Sequence, residues 1–428
     1  VGSFPVDPTI VNTTDEVGRA TIVTTVTAGF TGVNDVSLVV PTTGTTWGSG
    51  FFAVEPSRLF DTRADYPQGA VEVTKKQYGG PGNVLKVKVT GVAGIPAAGV
   101  ASVSLNLAVD RPVGSGFVTA FDCGSIPVAA SLNYVTGEAV SNAVIVPVSP
   151  AGEVCFFSNV NSDLIADVNS WFPEDSGFTA LSPTRVFDTR TDYPQGAVTI
   201  TKQQYGGAKI LKVKVTGAAG VPASGVAAIS FNLAVDRPTG GGFVTVYQCT
   251  PTIPTSASIN FIRGQVVSNA VIAPVSPSGE VCFYSNVDTD LIVDVNAWFA
   301  SNSGFNPLAQ ARVFDTRADY PQGAVSVTKQ QYGGPGKILK VKVTGAAGIP
   351  ATGVAAVSLN LAIDRPTGAG FAMAYPCGGI PVAANVNFVA KETVSNSVIA
   401  RVYPAGEVCF FANIDTDLIV DVNAWFSS

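Results

Sequence analysis

The sequence predicts an all-β protein: three tandem, disulfide-stapled antiparallel β-sandwich domains of jelly-roll or immunoglobulin-like type, preceded by a short N-terminal β-strand segment. Three observations predict this fold class. One block recurs three times, so that Asp61, Asp188 and Asp315 follow one another at intervals of 127 residues. Each block carries one matched pair of cysteines. Its apolar residues alternate with the period of two that is typical of strands, and no helical period is present.

The repeats set the predicted domain boundaries within the 428 residues. One repeat has a normal domain size and can hold its own core, whereas solenoid repeats run to about 20–50 residues and cannot fold singly. We therefore expect an N-terminal strand segment at 1–48 and three complete domains at 49–175, 176–302 and 303–428.

Each repeat contains short apolar stretches separated by glycine and proline turns. At 84–91, Leu85, Val87 and Val89 alternate with lysine and threonine, which is typical of a half-buried antiparallel strand. Turn residues recur about every 8–12 positions, as they do in sandwiches and barrels. In the first repeat we predict nine strands, at 58–63, 70–78, 84–91, 100–109, 116–123, 130–137, 140–149, 153–159 and 163–172.

The six cysteines fall two in each repeat, at matched positions. We predict one disulfide in each domain: Cys123–Cys155, Cys249–Cys282 and Cys377–Cys409. Closing a loop of that size contributes about 3–4 kcal/mol in the chain-entropy model. Disulfides persist in oxidising compartments, so we expect an extracellular or cell-surface protein. Buried free thiols are the alternative, and zinc is less favoured because no CxxC pair or histidine ligand is present.

The N-terminal segment differs from the repeats. Its apolar residues at 20–30 fall on one face of an alternating stretch, and we assign them to a candidate assembly strand: Ala20, Ile22, Val26, Ala28 and Phe30. A second strand is predicted at 35–40. The segment aligns either with the end of a repeat or with residues 87–105, and both alignments stay open. A few strands cannot close a sandwich, and their open edges invite pairing.

Composition excludes several classes of function. The net charge of −6 argues against nucleic acid, which requires a basic field. No apolar run approaches the ~20 residues of a spanning helix. The chain has no histidine, so a Ser-His-Asp triad and a His-ligated metal are excluded. A glycosidase-like carboxylate pair stays formally open, although three identical consecutive copies would be unusual. We predict that the chain is not an enzyme. It starts at Val1 without a signal-type apolar stretch, so we expect a processed, exported protein.

Several motifs recur across nearly all of each repeat. In the first repeat they are RLFDTR at 58–63, VKVTG at 87–91, SNAVI at 141–145, GEVCFF at 152–157 and DLIADVNSWF at 163–172. This combination resembles the tandem β-rich modules of secreted and surface proteins of actinobacteria. Those modules close with V-D-V-x-G-Y-F, where this chain has VDVNAWF. The resemblance implies an exported, non-catalytic accessory module without an established active site, and it does not cover residues 1–48.

The FDTR motif suggests a charge network. Asp61 and Arg63 lie two apart on a strand and so point to one face, and a second Asp-Arg step follows at Asp110-Arg111. We predict structural ion pairs that fix strand register; the alternative is a clamp for an acidic or sugar ligand. The predicted pairs are Asp61/Arg63, Asp188/Arg190 and Asp315/Arg317.

A loop before the last strand of each repeat carries alternating oxygen side chains. Such loops can bind Ca²⁺, which takes six to eight oxygen ligands, and the alternative is an Asx-type turn. The candidate calcium ligands are Asp288, Asp290, Asp415 and Asp417, and we predict no other cofactor.

Two functional hypotheses follow. The first is a structural subunit of a filament, pilus-like fibre, sheath or S-layer, with copies of the chain joined head to tail by strand addition through the N-terminal segment. The second is a multivalent adhesin or carbohydrate-binding array that contacts a surface glycan. Its candidate stacking residues are Tyr66, Tyr193 and Tyr320, which alternatively cap the end of each sandwich. Asn12 begins the one N-x-S/T sequon.

Overall fold

The computed structural model describes residues 13–14, 20–23, 37–38 and 50–428, except positions 128, 175, 255 and 382. The chain divides into two compact units, Val1–Gly48 and Ser49–Ser428. In the first unit the described backbone forms one antiparallel sheet of three strands in sequential order, β1 (Thr13–Thr14), β2 (Ala20–Val23) and β3 (Ser37–Leu38).

Two of the five candidate assembly residues, Ala20 and Ile22, lie in β2, which supports the strand predicted there. Ile22 is in register with Leu38 of β3, the second predicted strand. Val26, Ala28 and Phe30, together with Asn12, lie outside the described residues.

The second unit is built from strands throughout, with 3₁₀ turns at Pro81–Asn83 and Pro335–Lys337. The first repeat forms β4 (Phe52–Asp61), β5 (Leu85–Lys88), β6 (Val100–Asp110), β7 (Gly116–Phe121), β8 (Leu132–Tyr134), β9 (Val140–Pro147), β10 (Glu153–Ser158) and β11 (Asp163–Pro173). The second forms β12 (Phe178–Asp188), β13 (Leu211–Lys214), β14 (Val226–Asp236), β15 (Gly242–Gln248), β16 (Ile259–Phe261), β17 (Val267–Pro274), β18 (Glu280–Ser285) and β19 (Asp290–Ala300). The third forms β20 (Phe305–Asp315), β21 (Leu339–Lys342), β22 (Val354–Asp364), β23 (Gly370–Tyr375), β24 (Val386–Phe388), β25 (Val394–Arg401), β26 (Glu407–Ala412) and β27 (Asp417–Ser427).

These strands form six small antiparallel sheets. Each repeat contributes a larger sheet of order β4-β11-β6-β9 and a smaller sheet of order β5-β10-β7-β8, and the other repeats match it strand for strand. The six sheets stand in a ring, as in a six-bladed propeller. The all-β prediction and the three disulfides are therefore confirmed. The expectation of three tandem sandwich domains is corrected to this ring.

One predicted strand is absent from each repeat of the described ring. The backbone of the stretch 70–78 donates to β4 through the amides of Ala70 and Val71, and Tyr78 makes an isolated bridge to Ser162. Its alternating apolar residues, Val71 and Val73, pack on the core without strand geometry. Each repeat thus has eight strands rather than nine.

The strands that the alternating pattern predicted pack as expected. In β5, Leu85 and Val87 are buried while Lys86 and Lys88 are exposed. The buried pair joins one apolar cluster to which both sheets of the repeat contribute, including Leu105 of β6. The opposite faces of the larger sheets are also buried, and their small side chains pack around the centre of the ring.

Buried asparagines link the three repeats in a cycle. Asn142 on β9 donates from Nδ2 to Oδ1 of Asn232 in the second repeat (2.9 Å), and its own Oδ1 accepts from the amide of Ala270 (2.7 Å). Asn269 of the second repeat makes the equivalent hydrogen bonds to Asn360 and Ser397 of the third. Asn396 of the third repeat makes them to Asn106 and Ala143 of the first. These contacts close the ring with pseudo-threefold symmetry.

A phenylalanine cluster fills the centre at one end of this axis. Phe172 stacks on Phe178 at 4.0 Å between ring centroids, and Phe299 stacks on Phe305 at 4.0 Å. The third stack joins Phe51, at the start of the unit, to Phe426, near its end, at 4.4 Å. Residues 51–426 therefore close on themselves, with an apolar seal at every junction between repeats.

The first repeat carries a local defect in this cluster. Ser102 and Ser170 are fully buried and their hydroxyls have no hydrogen-bond partner, while the other repeats have alanine at the equivalent positions. An unsatisfied buried hydroxyl costs about 1–3 kcal/mol. We expect Ser102→Ala to raise the free energy of unfolding by about 1 kcal/mol in urea titration. Ala228→Ser, the reverse change in the second repeat, should lower it by a similar amount, and equal effects of the same sign would contradict the explanation.

Candidate functional site

A charge network lies where β4 ends. Asp61 is fully buried and accepts two hydrogen bonds from the guanidinium of Arg63, Nη2 to Oδ2 at 2.6 Å and Nε to Oδ1 at 3.0 Å. The Arg63 amide also donates to Oδ1 (3.0 Å). The second guanidinium comes from Arg58, which bonds Asp61 at 2.6 Å and Asp167 of β11 at 2.5 Å. The predicted Asp61/Arg63 pair is thus the centre of a larger network.

The two carboxylates in this network have opposite pKa shifts. Burial alone would raise the pKa of Asp61, but the hydrogen bonds and charge of Arg63 outweigh it and lower that pKa. Burial dominates at Asp167 and raises its pKa despite the opposing charge of Arg58. Because both oxygens of Asp61 are engaged by guanidinium groups, this carboxylate serves as a structural anchor rather than as a base or nucleophile.

The second Asp-Arg step continues the network towards the surface. Arg63 also bonds Asp110 (3.2 Å), and the neighbouring Arg111 pairs with Asp163 (2.9 Å) and Asp65 (3.0 Å). The sequence predicted the two steps separately, and the structure joins them. The outer pair is exposed and contributes little to stability, whereas the buried part fixes how β4, β6 and β11 meet.

A tyrosine covers the network. The guanidinium of Arg63 lies 3.5 Å from the ring centroid of Tyr66, and this ring is 47% exposed. The loop that carries it is held by Lys75, whose Nζ donates to the carbonyl oxygens of Asp61 (2.7 Å), Tyr66 (3.0 Å) and Pro67 (3.2 Å). We call this arginine-backed ring the tyrosine platform: one side of the ring contacts Arg63 while nearly half of the residue is exposed, which is compatible both with a cap on the repeat and with a ligand-stacking residue.

The other repeats reproduce this arrangement. Arg190 and Arg317 pair with Asp188 and Asp315, each at 2.7 Å, as predicted. The guanidinium of each lies 3.5 Å from the ring of Tyr193 or Tyr320. Sequence reasoning missed the inner arginines and the carboxylates opposite them, which are Arg58, Arg185, Arg312, Asp167, Asp294 and Asp421.

Two of the missed carboxylates also reach a neighbouring repeat. Oδ2 of Asp167 accepts from the amide of Ala384 in the third repeat (3.0 Å), and Oδ2 of Asp294 accepts from the amide of Ala130 in the first (3.3 Å). The network inside a repeat is therefore coupled to ring closure.

The candidate calcium ligands have other partners. Asp290 pairs with Arg237 (2.9 Å) and Asp417 with Arg365 (3.0 Å). Asp415 pairs with Lys337 (2.7 Å), and the backbone carbonyl of Asp288 accepts from Thr239. Within the described part of the chain, no three acidic or cysteine side chains form a group that could hold a metal ion. The calcium site therefore gains no support and stays a prediction.

A second feature lies on the pseudo-threefold axis, away from the phenylalanine cluster. A cavity of about 30 Å³ is lined by equivalent residues of all three repeats, including the first residues of β9, β17 and β25. Its polar lining includes the equivalent residues Glu138, Gln265 and Glu392, together with Asn133, Ser141 and Asn387. Burial, aided by the charge of Glu138, raises the pKa of Glu392, while a bond from the Val389 amide opposes the shift.

The raised pKa predicts a pH-dependent effect. The folded state binds the Glu392 proton more tightly than the unfolded state, so ionisation costs stability as pH rises from about 4.5, the ordinary value, through the folded-state pKa. We expect Glu392→Gln, which reproduces Gln265 of the second repeat, to unfold at higher urea than the wild type at pH 7. The difference should vanish below about pH 4. A gain that is independent of pH would contradict this.

Comparison with known proteins does not place the chain in a family. No protein-family model and no curated protein matches it. One similar solved chain comes from the atomic structure of Sulfolobus turreted icosahedral virus, with 10% identity and a TM-score of 0.21 over 88% of this chain and 92% of that one. Another comes from an archaeal virus described by its triple jelly roll fold and turret assembly, with 9% identity and a TM-score of 0.20 over 88% and 91%.

Similarity at this level carries no argument about fold or function, and the resemblance to actinobacterial modules stays a prediction. In the part of the chain that the structure describes, no helix is long and apolar enough to cross a bilayer.

Proposed function

We propose that this chain is a non-enzymatic, exported structural protein whose N-terminal segment joins copies head to tail in an extracellular surface assembly. The closure of the ring supports this proposal. The stack of Phe51 on Phe426 and the asparagine cycle close the second unit between its first and last repeats. Those residues form a separate unit that contains a small sheet. We propose that the short open-edged strands of this unit pair with another copy by strand addition.

The ring suits a structural role in an oxidising environment. Each of the three repeats has one disulfide and one buried ion-pair network, which favours a rigid block over a mobile array. The buried carboxylates are paired with arginine, which agrees with a scaffold role.

Truncation tests the proposal. We expect the full chain to form polymers, and a variant that starts at Ser49 to stay monomeric, by light scattering and negative-stain microscopy. Circular dichroism should show equal β-structure in both. Monomers of the same size for both chains would refute the assembly function.

A second candidate, a multivalent glycan binder, is favoured by the three tyrosine platforms. Tyr66, Tyr193 and Tyr320 are 47%, 48% and 47% exposed, and the backing arginine fixes the orientation of each ring for stacking against a sugar. Three weak sites on one rigid ring would give avidity. Binding to a glycan array that is lost in the triple Tyr→Ala variant, with monomers in solution, would favour this function over assembly.

A further inference from the structure

The ring has two different axial ends. β9 begins at Val140 beside the axial cavity, passes through the asparagine layer at Asn142 and reaches the phenylalanine cluster at Ile145. At about 3.3 Å per residue, these five steps span roughly 17 Å along the strand. The chain enters the ring at Gly50, which packs against Ser176 next to Phe51 of that cluster. The described chain therefore enters the ring at the end of the axis opposite the cavity.

The pseudo-threefold symmetry makes the cavity end a suitable docking surface, because it is present once in each ring. Every off-axis feature of the ring, such as the tyrosine platform, occurs three times, whereas a surface on the axis occurs once. Each chain likewise has one N-terminal segment. A linear head-to-tail assembly needs one receptor surface for each segment, and the axial end provides one such surface per ring. Three equivalent off-axis receptors on each ring would instead produce branched assemblies.

The chemistry of the axial end fits the segment. We define the axial tip as the three β-turns at 135–139, 262–266 and 389–393. Ile262, Val266 and Val389 in these turns are exposed apolar side chains, and Ile262 is 62% exposed. Val266 also lines the axial cavity, together with Glu138 and Glu392. The predicted apolar face of the segment matches the rim. The segment has four acidic residues and one basic residue, Arg19, which immediately precedes β2 and is its one side chain of charge opposite to Glu138 and Glu392.

We infer that the axial tip of one copy binds the N-terminal segment of the next, with Arg19 facing Glu138 and Glu392 and the apolar face of β2 against Val266 and its neighbours. This inference rests on the proposed assembly function and specifies its receptor. One disulfide-stapled ring is then added to the assembly for each segment that binds.

Two apolar-to-charged variants of the full chain test the receptor. Val266→Asp, at the tip, should weaken polymer growth at least ~10-fold by light scattering, because it places an unpaired charge in an apolar contact. Ile210→Asp is the matched control: Ile210 has nearly the same exposure, 43% against 42%, but lies before β13 of a smaller sheet. It should polymerise like the wild type. Thermal unfolding of both variants as Ser49–Ser428 chains establishes that the ring is intact.

A charge exchange tests the pairing. Arg19→Glu and Glu138→Arg should each slow growth, and the double variant should recover most of it. In addition, the Ser49–Ser428 chain has a tip but no segment, so small amounts should cap polymers of the full chain and shorten them. The same truncated chain with Val266→Asp should not. Wild-type growth of Val266→Asp together with an absence of capping would overturn the axial receptor while leaving the assembly function intact. Failure of the wild type to polymerise would overturn both.

Discussion

Replacing Asp61 with alanine should lower the free energy of unfolding by about 3–5 kcal/mol, the cost of breaking a buried ion pair by removing one partner. Arg58 and Arg63 would lose their shared carboxylate, and only 24% and 14% of their side chains are exposed to water. The charge of Arg63 would be left between the ring of Tyr66 and the weaker contact to Asp110 at 3.2 Å. Urea titration of the whole chain, followed by circular dichroism, measures the change.

The exposed pair in the same network supplies the control. Asp65 bonds Arg111 at 3.0 Å, with side chains 59% and 47% exposed, so Asp65→Ala should cost less than about 1 kcal/mol. If Asp65→Ala and Asp61→Ala have equal effects, the buried network is not what holds β4 in place. Asp188→Ala should reproduce the loss in the second repeat, since its contacts are the same.

Acid should reduce the effect of Asp61→Ala. The pKa of Asp61 is lowered in the folded protein, so its contribution is complete above the ordinary value of 3.8 and is lost as pH falls through the folded-state pKa. The difference in stability between the wild type and the variant should therefore be largest near neutral pH and shrink as the pH approaches about 2. A constant difference over that range would contradict the assigned ionisation.

The sequence predicted Asp61 and Arg63 as a pair because residues two apart on a strand share a face. Arg58 could not be predicted in the same way, since it lies three positions before Asp61 and the two side chains would point to opposite faces of a regular strand. The register of β4 against β11 shifts between Ala166, opposite Phe60, and Asp167, opposite Arg58. This bulge leaves Leu59 unpaired and brings Arg58 to the face of Asp61.

Ring closure was also beyond the sequence pattern. Alternation distinguishes the two faces of a strand, but it does not tell whether the less apolar face meets water or another repeat. On β6 and β14 that face carries Ser104, Asn106 and Ala228, which are typical of a solvent-facing side yet are buried. The SN motif at 141–142 was noticed only as a recurring pattern. Its asparagine is the side chain that joins one repeat to the next.

The repeats and the cysteine pairs were predictable because each depends on positions within one copy of the motif. The cavity and the asparagine cycle each need three copies at once. The sequence of one repeat does not determine the angle between neighbouring repeats. Three repeats in a linear row and three repeats in a closed ring would therefore have the same sequence pattern. The phenylalanines at the junctions are a partial signal in the sequence: Phe178 and Phe305 lie near the start of the second and third repeats, and both belong to the central cluster.

Truncating Phe426 should open the ring at one junction. Phe426 is 1% exposed and stacks on Phe51, so Phe426→Ala should cost about 3–5 kcal/mol as a core cavity. Phe299→Ala makes the same change where Phe299 stacks on Phe305, between the second and third repeats. That junction is also joined covalently by the short linker between β19 and β20, whereas the junction of the third and first repeats has no peptide link.

Opening the unlinked junction therefore separates the first and last strands of the ring, β4 and β27. Opening the linked junction leaves the two repeats joined by a short linker, which favours reclosure. In Phe426→Ala, the backbone amides of β27 and β4 and those around Asn396 and Asn106 should exchange faster than in the wild type. Phe299→Ala should lower the free energy of unfolding but cause a smaller local increase in exchange at its own junction. Equal exchange at the two junctions in both variants would mean that the ring unfolds only as a whole. Faster exchange at the junction of the third and first repeats than at the junction of the second and third would show that the ring opens first where Phe51 stacks on Phe426.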